Sequence, residues 1–267
     1  MINNKSANFA ILILVGIFTG CSSDEEEERG KWIERSIFDG IPRSSVTVFV
    51  IDNSGYMGTG YDGDDYLKDF WEYNIEGDYW SQKASFPGVA RSSATGFVIN
   101  NKGYVGTGYD GDNELSDFWE YNPSLNTWEQ KADFLGGRRR GAVGFAGSSL
   151  GYVGSGYDGD NDRKDFWKYD PAANSWEELE GFGGNKRRDA TAFKINDKIY
   201  FGTGVSNGIY KNDFWEFDLI SETWTRKRDL DYDDDYIISR SNATSFSLNG
   251  LGYISTGYAG GAIGTTW

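Results

Sequence analysis

The stretch that decides the fold is Arg91-Ser92-Ser93-Ala94-Thr95-Gly96-Phe97-Val98-Ile99, followed by Asn101-Lys102-Gly103 and then Tyr104 to Tyr109. Its first part is a strand built largely from small residues, suited to a crowded axis. Asn-Lys-Gly marks a hairpin turn, and Tyr104–Tyr109 is a second strand. Tyr109-Asp110-Gly111-Asp112-Asn113 is a polar loop leading to a third strand, Asp117-Phe118-Trp119-Glu120-Tyr121. That strand is apolar on both faces, as a sheet sandwiched between two neighbours must be. Asn122-Pro123 to Asn126 is a turn, and Thr127-Trp128-Glu129-Gln130-Lys131 is a fourth strand.

This unit is written about five times. Trp32, Trp80, Trp128, Trp176 and Trp224 stand 48 residues apart, as do the Asp-Phe-Trp triplets at Asp69, Asp117, Asp165 and Asp213. An acidic insertion, Asp231-Tyr232-Asp233-Asp234-Asp235, follows the fourth unit, and the pattern resumes at Arg240, Phe246 and Tyr253. Four short strands repeated at this period read as the blade of an all-β propeller. The tryptophan at 32 sits on a fourth strand that lacks its first three, while the C-terminal unit stops inside a third strand. The two ends can complete one blade between them. That gives about five blades, or a six-bladed ring from which about one blade is missing.

Tyr73…Trp80, Tyr121…Trp128 and Tyr169…Trp176 each hold a tyrosine, six residues and a tryptophan. This resembles the kelch repeat, as found in the galactose-oxidase-like propeller. Phe217 replaces the tyrosine before Trp224. The paired glycines of that repeat stand here as Gly58-Thr59-Gly60, Gly106-Thr107-Gly108 and Gly202-Thr203-Gly204. The resemblance covers residues 31–267 and implies a fold rather than a function.

The chain has one cysteine and a net charge of −15. It can form no internal disulfide, and a nucleic acid would be repelled. It has no histidine, the commonest general base and transition-metal ligand. Phe9 to Phe18 is apolar over about ten residues, a signal-peptide core too short to span a bilayer. It runs into Phe18-Thr19-Gly20-Cys21, which resembles a bacterial lipobox, with Phe18 where leucine is usual. That resemblance implies a leader over 1–20 and lipidation of Cys21. The acidic tether over 21–30 looks like the signal that sends Bacteroidota lipoproteins outward, and implies an outward-facing place on the outer membrane.

Two groups of side chains are candidates for ligand binding. Arg43, Arg91, Arg139, Arg187 and Arg240 begin each innermost strand, and Arg140 and Arg188 stand beside two of them. They either surround the channel mouth, where kelch domains that bind acidic peptides keep their pocket arginines, or pair with the aspartate of Asp-Phe-Trp. Arginine geometry suits both. The second group is the loop after each second strand, with Tyr61, Tyr109 and Tyr157 beside Asp62, Asp110, Asp112 and Asp158. Aromatic planes flanked by hydrogen-bonding groups suit a sugar, although short loops also favour such residues for their turns.

Asp158, Asp160 and Asp162 alternate as in calcium loops, but Arg163 and Tyr169 occupy the places where an EF-hand needs Gly and Glu. No cofactor is expected, with calcium here the one cation the spacing leaves open. The galactose-oxidase copper site needs histidines and a cysteine-linked tyrosine. No singular acid–base pair interrupts the repeats. The expectation is a surface lipoprotein that binds a carbohydrate or a protein and is not an enzyme. A carbohydrate epimerase or mutarotase of the sialic-acid mutarotase type is the alternative.

Overall fold

Inner strands of small and β-branched residues, each joined by a tight turn to a glycine-ended second strand, set up the blades. In this computed structural model the described residues are 33–228 and 238–267. The leader, Cys21, the acidic tether, Trp32 and Asp231–Asp235 lie outside them. The first blade is β1 (Thr47–Ile51), β2 (Ser54–Gly58), β3 (Phe70–Asn74) and β4 (Tyr79–Lys83). The second is β5 (Thr95–Ile99), β6 (Lys102–Gly106), β7 (Phe118–Asn122) and β8 (Thr127–Lys131). The third is β9 (Val143–Ala146), β10 (Gly151–Gly154), β11 (Phe166–Asp170) and β12 (Ser175–Leu179).

In the fourth blade β13 (Thr191–Ile195) and β14 (Lys198–Gly202) are followed by a small hairpin, β15 (Val205–Ser206) and β16 (Ile209–Tyr210), within the connecting loop. The blade then closes with β17 (Phe214–Asp218) and β18 (Thr223–Arg226). The fifth sheet pairs β19 (Thr244–Leu248) with β20 (Leu251–Ser255). Thr266 bridges to Ser255 on its outer side, where the other blades carry their third strand. Among the described residues every pairing is antiparallel, and all join consecutive strands except β14 and β17, which pair across the β15–β16 hairpin, so this is an all-β propeller of four-stranded blades.

Two boundaries differ from the sequence reading. The innermost strand of the second blade starts at Thr95 rather than Arg91, because Ser93 adopts a left-handed backbone, φ 53°, and turns the chain. The hairpin turn is Asn100-Asn101, both at positive φ (49° and 58°), which is the conformation a two-residue hairpin with matching twist requires. Lys102 therefore already belongs to the second strand.

The kelch tyrosine and tryptophan touch within each blade, with ring centroids 5.0 Å apart for Tyr73–Trp80 and 4.9 Å for Tyr121–Trp128. The Tyr121 hydroxyl donates to Asn126 Oδ1 at 2.9 Å, and the same oxygen accepts from the Ala84 amide of the preceding blade at 2.9 Å. Trp128 Nε1 donates to the Ala84 carbonyl at 2.9 Å, so the signature also joins blades. The fourth blade breaks it. Glu222 replaces the turn asparagine and reaches back to Lys168 at 2.8 Å and the Tyr152 hydroxyl at 3.2 Å. With Glu222 drawn away, the position opposite Trp224 has no hydroxyl to place, and Phe217 fills it.

Around the axis a backbone chain links the blades at the start of the innermost strands. Ser93 N–H donates to the Ser45 carbonyl at 2.9 Å, Gly141 to Ser93 at 3.0 Å, Asp189 to Gly141 at 2.9 Å and Asn242 to Asp189 at 3.0 Å. These five residues share one repeat position and a φ of 53° to 58°.

Candidate functional site at the start of the innermost strands

Arg91, Arg139, Arg187 and Arg240 are wholly buried, and the Arg43 side chain is 1% exposed. They point into the blades. Arg91 makes a two-pronged pair with Asp117, at 2.5 and 2.7 Å, and Arg139 does so with Asp165 at 3.1 and 3.0 Å. Arg43 grips Asp69 in the same way, and Arg187 Nη2 meets Asp213 at 2.7 Å. In the fifth sheet Thr265 takes the aspartate's place and accepts from Arg240 through its hydroxyl and its carbonyl. The tryptophan of each triplet donates its Nε1 to the same aspartate, at 2.8 Å for Trp119 and Asp117. A phenylalanine five residues earlier covers the guanidinium, with Arg91 4.7 Å from the Phe86 ring centre. Burial opposes ionisation of Asp69, Asp165 and Asp213, but the hydrogen bonds from arginine and tryptophan outweigh it and hold these carboxyls below their usual range. The five arginines are therefore struts, and reading them as ligand contacts at the channel mouth is corrected on geometry.

The loops after the second strands are likewise self-contained. Asp62, Asp110 and Asp158 each accept two backbone amides of their own loop through Oδ1, at 2.9 and 2.8 Å for Asp110. Tyr61, Tyr109 and Tyr157 each donate their hydroxyl to the glycine carbonyl two residues on, at 2.5 to 2.6 Å. Asp112 is exposed. The calcium spacing does not converge. Asp158 caps its loop, Asp160 is exposed, and Asp162 turns inward to Arg188 at 2.6 Å and the Asn207 amide at 2.9 Å.

What the repeats do not share is a cluster next to this loop ring. Where blades one, two and five carry Ser44, Ser92 and Ser241, blades three and four carry Arg140 and Arg188. The Arg140 guanidinium lies between the rings of Tyr109 (4.5 Å) and Tyr157 (5.1 Å), and its Nη1 is 3.3 Å from Glu114. Arg188 also lies over the Tyr157 ring, 5.1 Å away, with Nε 3.6 Å from Asp189 Oδ2. Asp189 occupies the axial position held elsewhere by Ser45, Ser93, Gly141 and Asn242. Its neighbour in the third blade is glycine for a steric reason, since a Cβ at Gly141 would overlap Asp189 Oδ1. Burial raises the Asp189 carboxyl above its usual range, and the nearby Asp162 adds to this while Arg188 and Arg140 oppose it. The side chain keeps 21% of its surface exposed. A carboxyl so placed can take up and return a proton beside the guanidinium groups.

Asp189 and Gly141 escaped the sequence reading, which looked for a singular acid–base pair and found none. The signal was present as a departure: one aspartate and one glycine in a column otherwise of Ser and Asn.

The kelch motif matches residues 90–135. No curated protein sequence matches the chain. Among solved structures, the "Structure of YjhT" superposes with a TM-score of 0.70 at 18% identity, covering 81% of this chain and 72% of that one. The likeness carries the fold. With a propeller of this fold as a structural neighbour, the expectation that this chain is not an enzyme is withdrawn. The architecture reached from the repeat, the blades and the superposition is that of a kelch-type β-propeller.

Proposed function

We propose that this propeller binds a reducing carbohydrate at the Arg140–Arg188–Asp189 cluster and that Asp189 interconverts its anomers. The observation that carries the reading is the Asp189 carboxyl, raised by burial and standing alone in a repeat column that elsewhere holds no acid. Arg140 and Arg188, held against the rings of Tyr109 and Tyr157, supply donors for ring and hydroxyl oxygens. In ring opening, the Asp189 carboxylate accepts the proton of the anomeric hydroxyl. The electron pair left behind forms the carbonyl as the bond to the ring oxygen breaks, and the ring oxygen takes a proton from a solvent water, whose hydroxide takes up the proton that Asp189 holds. Reclosure on the other face of the carbonyl reverses these transfers. A carboxyl raised above its usual range by burial is suited to both directions.

The test is a titration of glycans with three substitutions drawn from the protein's own repeats: Arg140→Ser, Arg188→Ser and Asp189→Asn. Arg140→Ser should lose affinity with melting temperature little changed, because Ser44 and Ser92 already serve that position, whereas Arg188→Ser also strands the buried Asp162 and is read by affinity alone. Unchanged affinity in both would remove the cluster as the binding site. The reading also keeps the lipid anchor on Cys21, supported by the resemblance of Phe18–Cys21 to a lipobox, which sets the propeller at a membrane surface.

A further inference from the structure

The third and fourth blades carry cations where the first two do not. Leu67, Leu115, Arg163 and Lys211 share one repeat position, and each donates its amide to the same carbonyl, that of Gly60, Gly108, Gly156 and Gly204 respectively, at 2.7 to 2.9 Å. The hydrogen bond shared by all four blades uses only the backbone there, while Arg163 adds side-chain contacts to Asp158 and Asp165. Leucine serves in two blades, so a basic side chain in the other two is not a requirement of folding.

The side chains at these positions lie by clefts between blades. The cleft of blades three and four, about 510 Å³, is lined by Asn161, Arg163, Lys164, Asn185 and Lys186 among others. A second cleft, about 360 Å³, holds Lys211, Asn212, Trp215 and Asp213. Gly184 and Asn185 line both, so the two adjoin. The carboxylates there are largely committed: Asp162 to Arg188, Asp165 to Arg139 and Asp213 to Arg187. Asp158 reaches Arg163 at 3.3 Å. Asp213 Oδ1 is buried and accepts no hydrogen bond among the described residues. The equivalent cleft of blades two and three, about 490 Å³, is instead lined by Leu115, Ser116, Asp110 and Asp133 with Arg138. The sign of the charge changes from one cleft to the next on a chain of net charge −15.

We infer that the twin clefts of the third and fourth blades bind an anionic oligosaccharide. Its sulfate or carboxylate groups meet Arg163, Lys164, Lys186 and Lys211, and its hydroxyls meet the three asparagine amides. Amides, one tryptophan face and discrete cations are a lining for a charged sugar. A longer polyanion would run onto the acidic remainder of the surface.

The experiment is calorimetric titration of the folded protein, at low and at physiological salt, with a heparin-derived tetrasaccharide, a tetragalacturonate, neutral maltotetraose and a short oligonucleotide of matched charge. At least one charged sugar should bind, more weakly as salt rises, and maltotetraose should not. Binding of the first alone assigns sulfate, and binding of the second assigns carboxylate. The Arg163→Leu/Lys211→Leu double variant, which installs the residues of blades one and two, should lose about tenfold in affinity with an unaltered melt. Lys164→Ser, the residue of the second blade, gives an independent check if the double variant melts early. The inference fails if neither charged sugar binds, if both variants bind as tightly as the parent, or if the oligonucleotide binds as well as the sugars. Asp189→Asn should leave this binding intact, which separates it from the axial site.

Discussion

The Phe49 ring of the first blade occupies the space that a Cβ on Gly103 of the second would fill. The same pairing joins Phe97 to Gly151 and Phe193 to Gly252. In three blades the inner strand thus plugs an aromatic ring into a glycine socket of the next, whereas the fourth blade carries Ile199 at the socket position, opposite the third blade. Gly103→Val should therefore cost about 1–3 kcal/mol through overpacking. Gly55 is the control, since a Cβ there meets only the Tyr73 Cβ, at 3.9 Å. Gly55→Ala should be near neutral in the same denaturant curves.

Arg91 and Asp117 form a buried pair, and removing one partner strands the other. Arg91→Ala should cost about 3–5 kcal/mol, measured by urea unfolding at neutral pH. Asp165 and Asp213 have depressed carboxyls in the folded protein. Their contribution is present above the unfolded-state value of 3.8 and is lost as pH falls through the lower folded values. Asp165→Asn should flatten that acid limb, and an unchanged limb would contradict the strut assignment.

Asp189 works in the opposite sense. Its folded-state carboxyl is raised above the unfolded 3.8, so its effect favours folding below that value and is lost as pH rises through the folded one. At neutral pH the ionised group is a liability. Asp189→Asn, with Asn242 as precedent at the same φ of 53°, should raise the melting temperature at pH 7. It should do little at pH 3. A stabilised but inactive variant is the expected mark of a site kept for function.

If Cys21 carries a lipid, Cys21→Ser should abolish labelling of the protein by an alkyne fatty acid and leave the leader uncut. Full labelling of the variant would refute the anchor.

The repeat made the fold legible because a 48-residue step repeats every contact that matters: the Tyr121–Trp128 pair, the Asp-Phe-Trp strand and the arginine facing it. The direction of the arginines was not legible. A residue at the head of a strand can face the axis or the blade, and only the meeting of Arg91 with Asp117, 26 residues later, decides it. The loop aspartates pointed to a binding surface because their own turns, which consume Oδ1, are made by backbone amides without sequence character. Asp189 was hidden for a third reason. Reading for what recurs discards what departs, and Gly141 and Asp189 become one feature only when adjacent blades bring them together.

The central claim is that Asp189 moves a proton on a bound sugar, and two-dimensional exchange NMR on a panel of neutral and acidic reducing sugars tests it most directly. The wild-type protein at catalytic concentration should raise the anomer exchange rate of at least one sugar well above buffer. Asp189→Asn should lower that enhancement by about 10²- to 10⁴-fold, the range expected when a general acid–base group is removed. Exchange at the buffer rate for every sugar, or an Asp189→Asn protein as fast as the parent, would contradict it.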